Sequence, residues 1–174
     1  MPTNATRDPN LSVLVVGVDP GALEGCTVET ADDMLGALAH LAGGGIDVVV
    51  SCAAYWQKFD ARTWDPDVFA RHVDINLLGF SNVLAAVVPA MATARRGHVV
   101  GIASVAGYRG LPGSEAYGAT KAAQINLLEG MRAALNASNV RVTTVCPGFV
   151  RTGLTDGNDF PMPFMLQPSD AADR

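Results

Sequence analysis

Short runs of apolar, β-branched residues recur along this chain, separated by segments with helical periodicity or turn residues. The runs are residues 11–18, 46–51, 97–103 and 140–145, with a shorter one at 26–30. Continuous runs of this kind are typical of strands that are buried on both faces of a parallel sheet. Strands that alternate with helices pack as α/β layers. We therefore expect an α/β fold with a doubly wound parallel sheet in one domain.

Helical patterns occupy the segments between these strands. Apolar residues repeat at helical spacing over residues 31–41. A second helix is predicted over residues 65–93, where Asp65 can act as the N-cap and Pro66 suits the first turn. A third helix is predicted over residues 115–137. Ligands of open α/β sheets bind at the carboxyl ends of the strands, so we expect the site among the residues that follow each strand.

A serine, a tyrosine and a lysine have a spacing that predicts an acid–base centre. Tyr117 and Lys121 are four residues apart in the third predicted helix, and this spacing puts both side chains on one helix face. Ser104 lies thirteen residues before Tyr117, at the carboxyl end of strand 97–103. A free phenol titrates near pH 10, and a neighbouring cation lowers that pKa. We expect the tyrosine to exchange protons with a substrate oxygen near neutral pH.

At these positions the chain resembles the short-chain dehydrogenase/reductase family, whose catalytic set combines a serine with a Tyr-x-x-x-Lys motif. The resemblance is clearest over residues 47–152 and includes Asn76, in Asp-Ile-Asn-Leu-Leu-Gly, which is similar to the asparagine of the family's catalytic tetrad. It implies a Rossmann-like fold with NAD or NADP as the cofactor. It also implies that the serine orients the substrate oxygen, that the lysine lowers the tyrosine pKa, and that Asn76 supports a water linking Lys121 to solvent.

The same resemblance implies a set of cofactor-binding residues. The turn at Pro147 and Gly148 is similar to the family turn that holds the nicotinamide carboxamide, and Lys121 is expected to bind the nicotinamide ribose. Small residues after strand 46–51 stand where the family has Asn-Asn-Ala-Gly, and they allow the cofactor to approach closely. The implied contacts are Cys52, Ala53, Ala54, Tyr117, Lys121, Pro147, Gly148, Val150 and Thr152.

The sequence leaves two placements open for strand 11–18. By resemblance it is the family's second strand, and Asp19 then binds the adenine ribose and favours NAD. By physical reasoning it is the central strand, because a parallel sheet without its middle strand leaves backbone N–H and C=O groups unpaired. Gly17 and Gly21 then belong to a degenerate phosphate turn. We favour the central placement, and Asp32 is a weaker candidate for the adenine pocket.

The chain also departs from the family pattern. It lacks the usual turn Thr-Gly-x-x-x-Gly-x-Gly, so pyrophosphate binding is expected to be weakened, and it stops where the family has a further helix and edge strand. Residues 19–25 are too few for the crossover of about a dozen residues that joins parallel strands. We interpret residues 1–10 as a disordered lead and residues 11–174 as a single truncated Rossmann-like domain.

Composition excludes several classes of function. A net charge of −5 and a pI near 5.0 argue against a nucleic-acid surface, which needs a basic patch. There is no run of 18 apolar residues to predict a membrane span and no signal-peptide core near the start. Three widely spaced cysteines are typical of reduced thiols in a cytoplasmic protein. The three histidines lack ligand spacing, so we expect no metal.

These patterns predict an oxidoreductase that transfers a hydride between NAD(P) and a small carbonyl compound or secondary alcohol. Large apolar side chains near the expected pocket favour an apolar substrate. They are Tyr55, Trp56, Trp64, Phe160, Met162, Phe164 and Met165. The alternative is a non-enzymatic family member that acts as an oligomerisation or interaction module. In the family, helices corresponding to 65–93 and 115–137 commonly pair between subunits, so a homodimer or homotetramer is expected.

Overall fold

A computed structural model of the protein describes residues 12–16, 27–31, 46–156 and 158–173, with the backbone alone in the first two ranges. The predicted lead at residues 1–10 lies outside these ranges. So does the predicted helix over residues 31–41, apart from Ala31, which ends a strand.

Five parallel strands form one sheet, which confirms the predicted α/β fold. They are β1 (Ser12–Val16), β2 (Thr27–Ala31), β3 (Val48–Ser51), β4 (Gly97–Ile102) and β5 (Val140–Val145). Their order across the sheet is β2-β1-β3-β4-β5. The chain steps from β1 to β2 on one side and later to β3 on the other. The point where the order reverses, which is the usual ligand crevice of such sheets, therefore lies at the carboxyl ends of β1 and β3.

Strand β1 has the central placement that physical reasoning favoured. Val13 is in register with Val28 of β2 on one side and with Val48 of β3 on the other. Both backbone edges of β1 are therefore paired, as a strand inside a parallel sheet requires.

The expectation that the segment after β1 is too short for a parallel connection is wrong. Strand β2 runs parallel to β1 although only residues 17–26 separate them. A five-residue strand is about 16 Å long, and ten extended residues span up to about 35 Å. Ten residues are therefore enough to return the chain to the start of the neighbouring strand.

The first long helix, α1, covers Pro66–Ala94. It is α-helical over Pro66–His72, π-helical over Val73–Gly79 and α-helical again over Phe80–Ala94. The side chain of Asp65 accepts hydrogen bonds from the backbone N–H groups of Asp67 and Val68, which confirms the predicted N-cap. The π-helical segment was not predicted. It carries Asn76, and such segments are frequent at functional sites.

Two further helices follow. Helix α2 covers Glu115–Leu135, close to the predicted 115–137, and leads into a single 3₁₀ turn. A short helix α3, which was not predicted, covers Pro168–Ala172.

Helices α1 and α2 pack beside each other on one face of the sheet and form the core with alternate strand residues. Every second residue of β3, β4 and β5 points toward the helices, as the period of a strand dictates. The buried core consists of Val49, Phe80, Val83, Leu84, Val87, Met91, Val99, Leu128, Val140 and Val142. This packing fixes the position of both helices over the carboxyl ends of the strands.

Helix α1 is also long and apolar enough to cross a membrane by length and composition alone. No membrane-spanning segment was expected from the sequence, because polar residues interrupt the apolar stretch of this helix before it reaches 18 residues. Part of the helix packs in the core, with Phe80, Val87 and Met91 buried, and core helices of globular proteins pass the same test.

Removing the side chain of Leu128 should destabilise the fold. Leu128 is fully buried at the centre of the core, so Leu128→Ala should lower the free energy of unfolding by about 2–5 kcal/mol. Leu154→Ala, at an exposed position outside both long helices, is the control and should cost well under half as much. Urea denaturation followed by circular dichroism measures both, and equal losses would contradict the packing of α2 on the sheet.

Candidate active site

Ser104 follows β4 and begins the 3₁₀ turn Val105–Gly107. Its Oγ accepts a hydrogen bond of 3.2 Å from the backbone N–H of Ala106. Its hydroxyl is also hydrogen-bonded to the phenol of Tyr117. The backbone N–H of Ala106 uses only an acceptor position of Oγ. The hydroxyl proton is a separate donor and can point at the phenol. The structure therefore brings together the serine and tyrosine that the sequence predicted as partners.

Two glycines let the Ser104 turn lie directly against α2. A Cβ added at Gly107 would lie 2.8 Å from the carbonyl carbon of Lys121 and 2.9 Å from the backbone nitrogen of Ala122. A Cβ at Gly118 would lie 3.0 Å from the carbonyl oxygen of Ala106. Backbone therefore packs against backbone at this point, and the close approach carries Ser104 to Tyr117. These glycines were not among the predicted site residues, and only their position beside the catalytic motif could have suggested them.

Lys121 is buried, with 1% of its surface exposed. Its Nζ donates hydrogen bonds to the carbonyl oxygen of Ile102, at 2.8 Å, and to Oε1 of Gln124, at 3.0 Å. It lies 5.6 Å from the ring centroid of Tyr117. Burial lowers the pKa of Lys121 to about 8, against smaller opposing effects of the Cys52 and Cys146 thiols.

The pKa of Tyr117 moves opposite to the sequence-based expectation. Burial raises this pKa above its ordinary value, and the hydrogen bond from Ser104 lowers it by a smaller amount. The Lys121 ammonium was expected to lower the phenol pKa, but the hydrogen bonds that it donates go to Ile102 and Gln124. The loss of hydration outweighs stabilisation of the phenolate. The tyrosine is therefore held in its protonated form in this structure.

Asn76 joins α1 to the loop that follows β3. It is fully buried. Its Oδ1 accepts from the N–H of Tyr55 at 2.7 Å, and its Nδ2 donates to the carbonyl of Tyr55 at 2.9 Å and to Oγ1 of Thr120 at 3.1 Å. Thr120 in turn donates to the carbonyl oxygen of Tyr117. The predicted tetrad asparagine is thus connected to the backbone of the tyrosine helix.

A residue outside the predicted set, Gln124, connects Asn76 to Lys121. Its Nε2 donates to the carbonyl oxygen of Asn76, and its Oε1 accepts from Lys121. The resemblance implied that Asn76 supports a water linking Lys121 to solvent, and the structure adds a direct side-chain link between these two residues. Gln124 lies three residues after Lys121, on the same helix face, and this spacing is the sequence signal that could have identified it.

Several predicted cofactor contacts lie together along the carboxyl edge of the sheet. Cys52, Ala53 and Ala54 follow β3 and are half-buried. Val105, which follows β4, donates its N–H to the carbonyl of Pro147, which follows β5. The predicted carboxamide turn therefore lies beside Ser104. A Cβ added at Gly148 would meet nothing within 4 Å, so the turn borders open space.

The remaining predicted cofactor contacts are more dispersed. Val150 is half-buried and forms a parallel bridge with Leu166, while Thr152 is exposed and its N–H bonds to the Thr155 hydroxyl. Four others fall outside the described residues, namely Gly17, Asp19, Gly21 and Asp32.

The large apolar residues expected at the pocket mouth separate into groups. Trp56 packs edge-on against Phe160, with ring centroids 6.2 Å apart. Trp64 instead packs against Phe59, at 5.0 Å, and has a structural role in the loop. Phe164 is 95% exposed. The structure therefore supports Trp56 and Phe160, and not the whole set, as neighbours of the site.

His72 has a structural role that its position in the sequence did not reveal. It is fully buried. Its Nδ1 lies 2.7 Å from the carbonyl oxygen of Val68, and its Nε2 accepts the N–H of Gln57 at 3.2 Å. With one nitrogen donating and the other accepting, the ring is the neutral tautomer. It anchors the loop that carries Trp56.

Cysteine and metal chemistry add little to this site. Cys52 and Cys146, the cysteines within the described ranges, are free thiols. Burial raises the pKa of the Cys52 thiol, and the Lys121 ammonium partly offsets this rise. Within the same ranges, no group of three or more His, Cys, Asp or Glu side chains could hold a metal ion.

Comparisons with known proteins identify similar sequences and folds. The family model described as short chain dehydrogenase matches residues 14–159. An uncharacterized oxidoreductase of Myxococcus xanthus is 38% identical over 158 residues, which are 91% of this chain and 62% of that protein. The chain therefore spans less than two thirds of that relative's length.

Solved structures agree with this match. A short chain dehydrogenase/reductase family protein is 26% identical, with a TM-score of 0.75 over 94% of this chain and 86% of its own. An NAD+-bound xylitol dehydrogenase is 24% identical, with a TM-score of 0.72 over 87% of this chain and 78% of its own. At this identity the second comparison shows the fold alone.

Adding one methyl group at Gly107 should disturb both stability and activity. Its Cβ would overlap the backbone of α2, so Gly107→Ala should displace Ser104 from Tyr117 and cost about 1–3 kcal/mol of stability. Gly110→Ala is the matched control, because a Cβ at that position meets nothing within 4 Å. Thermal unfolding compares the two variants. Equal melting temperatures would contradict the close backbone approach.

The buried lysine predicts a pH dependence of stability. The pKa of Lys121 is about 8 in the folded protein, below its ordinary value of 10.5. Between these values the unfolded chain binds more protons, so stability rises with pH. Relative to Lys121→Met, the free energy of unfolding of the wild type should increase by about 2 kcal/mol from pH 8 to pH 10. A difference that is flat over this range in urea titrations would show that Lys121 is not desolvated.

Proposed function

The chain belongs to the short chain dehydrogenase family, and we propose that it is an NAD(P)-dependent oxidoreductase acting on a small, apolar carbonyl compound or secondary alcohol. One observation carries the proposal. The Ser104 hydroxyl is hydrogen-bonded to the Tyr117 phenol, while the buried Lys121 ammonium lies 5.6 Å from the same ring. A phenol, a hydroxyl and a fixed positive charge at the carboxyl edge of a parallel sheet are the groups that carbonyl reduction requires.

The roles of these residues follow from their contacts. NAD(P), when bound, supplies or accepts the hydride. Tyr117, which burial holds in its protonated form, donates its proton to the carbonyl oxygen in reduction. Ser104 donates a hydrogen bond to the same oxygen and stabilises the charge that develops there. Lys121 holds a positive charge beside the phenol and favours the phenolate left by proton transfer.

The described residues fit the nicotinamide end of such a cofactor. The side chains that follow β3 at the switch point are small, namely Cys52, Ala53 and Ala54, and the turn at Gly148 borders open space. An ammonium has three N–H donors. Two of those of Lys121 bind protein oxygens, and we assign the third to a ribose hydroxyl. NAD and NADP are both retained as candidates, with Gly17 and Gly21 assigned to the phosphate turn and Asp32 to the adenine pocket. The adenine-ribose role of Asp19 required strand 11–18 to be the second strand, and the sheet order overturns that placement.

The substrate is proposed to be apolar because an aromatic pair borders the site. Trp56 packs against Phe160, and Phe160 packs against Phe149 beside the carboxamide turn. A salt bridge of 2.8 Å between Lys58 and Asp159 joins the loop before α1 to the segment that carries Phe160. Aromatic side chains beside a site favour an apolar substrate.

Assembly and location are proposed on simpler grounds. Leu78 of α1 and Leu127 of α2 are exposed, which supports pairing of these helices in a homodimer or homotetramer. The acidic pI and the free thiols support a cytoplasmic protein that acts on small molecules without nucleic acid or membrane partners.

Calorimetric titration with NADH and then NADPH tests the cofactor assignment. Micromolar binding of either dinucleotide is the expected result. A chain that is folded by circular dichroism but binds neither at millimolar concentration would contradict the enzyme proposal and favour the non-enzymatic interaction module.

Removing the phenol should abolish most of the catalysis. Tyr117→Phe should lower turnover at least about 100-fold, the usual contribution of a positioned acid–base group. Tyr108→Phe, at an exposed position, is the matched control and should keep wild-type turnover. Steady-state assays over a panel of small ketones and aldehydes measure both. Near-full activity of Tyr117→Phe would exclude the phenol as the proton donor.

A further inference from the structure

Gln124 occupies a buried position between two parts of the site that lie on different helices. It is 3% exposed. Its Oε1 accepts from Nζ of Lys121 at 3.0 Å, and its Nε2 donates to the backbone carbonyl of Asn76. One side chain thus joins the catalytic lysine on α2 to the tetrad asparagine on α1. Neither the sequence pattern nor the family resemblance assigned it a role.

The chemistry of the two partners fixes the orientation of this amide. A carbonyl oxygen only accepts hydrogen bonds, and an ammonium only donates them. Turning the Gln124 amide over would place its oxygen against the Asn76 carbonyl and its NH₂ group against the Lys121 ammonium. Both contacts would be repulsive. The amide therefore has a single satisfied orientation, with its oxygen permanently facing the lysine.

The π-helical segment of α1 helps to make the Asn76 carbonyl available. In a regular α-helix the N–H of Phe80 would donate to the carbonyl of Asn76, four residues earlier. Here the Phe80 N–H donates to the carbonyl of Leu77. The Asn76 carbonyl can then accept from Gln124 without competition from that N–H. The irregular turn and the glutamine are parts of one arrangement.

We propose that Gln124 is a positioning residue that holds Lys121 beside Tyr117 and favours its charged form. The amide oxygen accepts a hydrogen bond from the ammonium, and the bond of the amide nitrogen to Asn76 keeps that oxygen in place. A hydrogen bond to the charged form of a group favours that form. The lysine then acts on Tyr117 through its charge.

Several other groups face Lys121 and must be considered together with Gln124. The Cys52 thiol approaches from the end of β3, the Cys146 thiol from the end of β5, and the Tyr117 ring from α2. The carbonyl of Ile102 approaches from β4. Unlike the thiols and the phenol, Gln124 does not titrate, so its hydrogen bond favours the charged form of Lys121 whatever the protonation state of those groups.

This chain offers an unusually clean measurement, because Lys58 and Lys121 are its only lysines. Protein labelled with ¹³C at lysine Cε gives two signals whose titration is followed by NMR, without cofactor or substrate. Lys58 is exposed in its salt bridge with Asp159 and serves as an internal reference. Two variants change the interaction between residue 124 and the Lys121 ammonium in opposite directions. Gln124→Met keeps the length of the side chain without its hydrogen bonds, and Gln124→Glu places a carboxylate beside the ammonium.

The pKa of Lys121 should fall by about one unit in Gln124→Met and rise by at least about one unit in Gln124→Glu, with the Lys58 signal unchanged. Asn126→Met, on the exposed side of α2, is the matched control and should leave both signals in place. An unchanged Lys121 titration in either folded Gln124 variant would overturn the proposal. The two variants are independent, so failure of one to fold leaves the other as the test.

The consequence for catalysis rests on the proposed function and has its own readout. The pH dependence of kcat should shift on its basic side in Gln124→Met, because a less charged lysine raises the pKa of Tyr117. A loss of kcat with an unchanged pH profile would show a merely structural role and contradict the proposal. Since the NMR titration needs no dinucleotide, a shifted Lys121 signal in a chain that binds no cofactor would reject the proposed function and leave the assignment of Gln124 standing.

Discussion

A positive charge buried at the carboxyl edge of the sheet is the constraint on which the rest of this structure depends. Burying an ammonium is costly unless hydrogen bonds replace its hydration. Lys121 obtains them from the backbone of β4 at Ile102 and from Gln124 on its own helix. Gln124 in turn requires the Asn76 carbonyl on α1. One charge therefore fixes the relative positions of a strand end and both long helices, which is why the site and the core form together.

The parts of the fold that depend on local sequence were predictable. The run Val140–Val145 is a strand with the predicted bounds, because β-branched residues in a continuous apolar run have few alternatives. The i, i+4 spacing of Tyr117 and Lys121 likewise identified the helix and the face that carries the chemistry. The central position of β1 followed from the need to pair both edges of a strand, an argument that required no family knowledge.

What could not be predicted depends on contacts between distant segments. The close approach at Gly107 exists because α2 crosses the turn after β4, and no local pattern encodes that crossing. The link through Gln124 requires the carbonyl of a residue 48 positions away. The pKa of Tyr117 was expected to fall, because the sequence shows the neighbouring charge of Lys121. It is raised because the phenol is buried, and burial is a property of the folded chain that the sequence does not show.

Asn76 fixes the backbone path of the loop after β3 independently of the side chains that the loop carries. The amide of Asn76 bonds to both the N–H and the C=O of Tyr55, much as a neighbouring strand would. Because both bonds go to main-chain atoms, they do not depend on which side chain residue 55 carries. Substitutions along the adjoining loop, at Trp56 for example, can therefore alter which molecules fit while the backbone keeps its course, and new specificities can arise on this scaffold without a new loop.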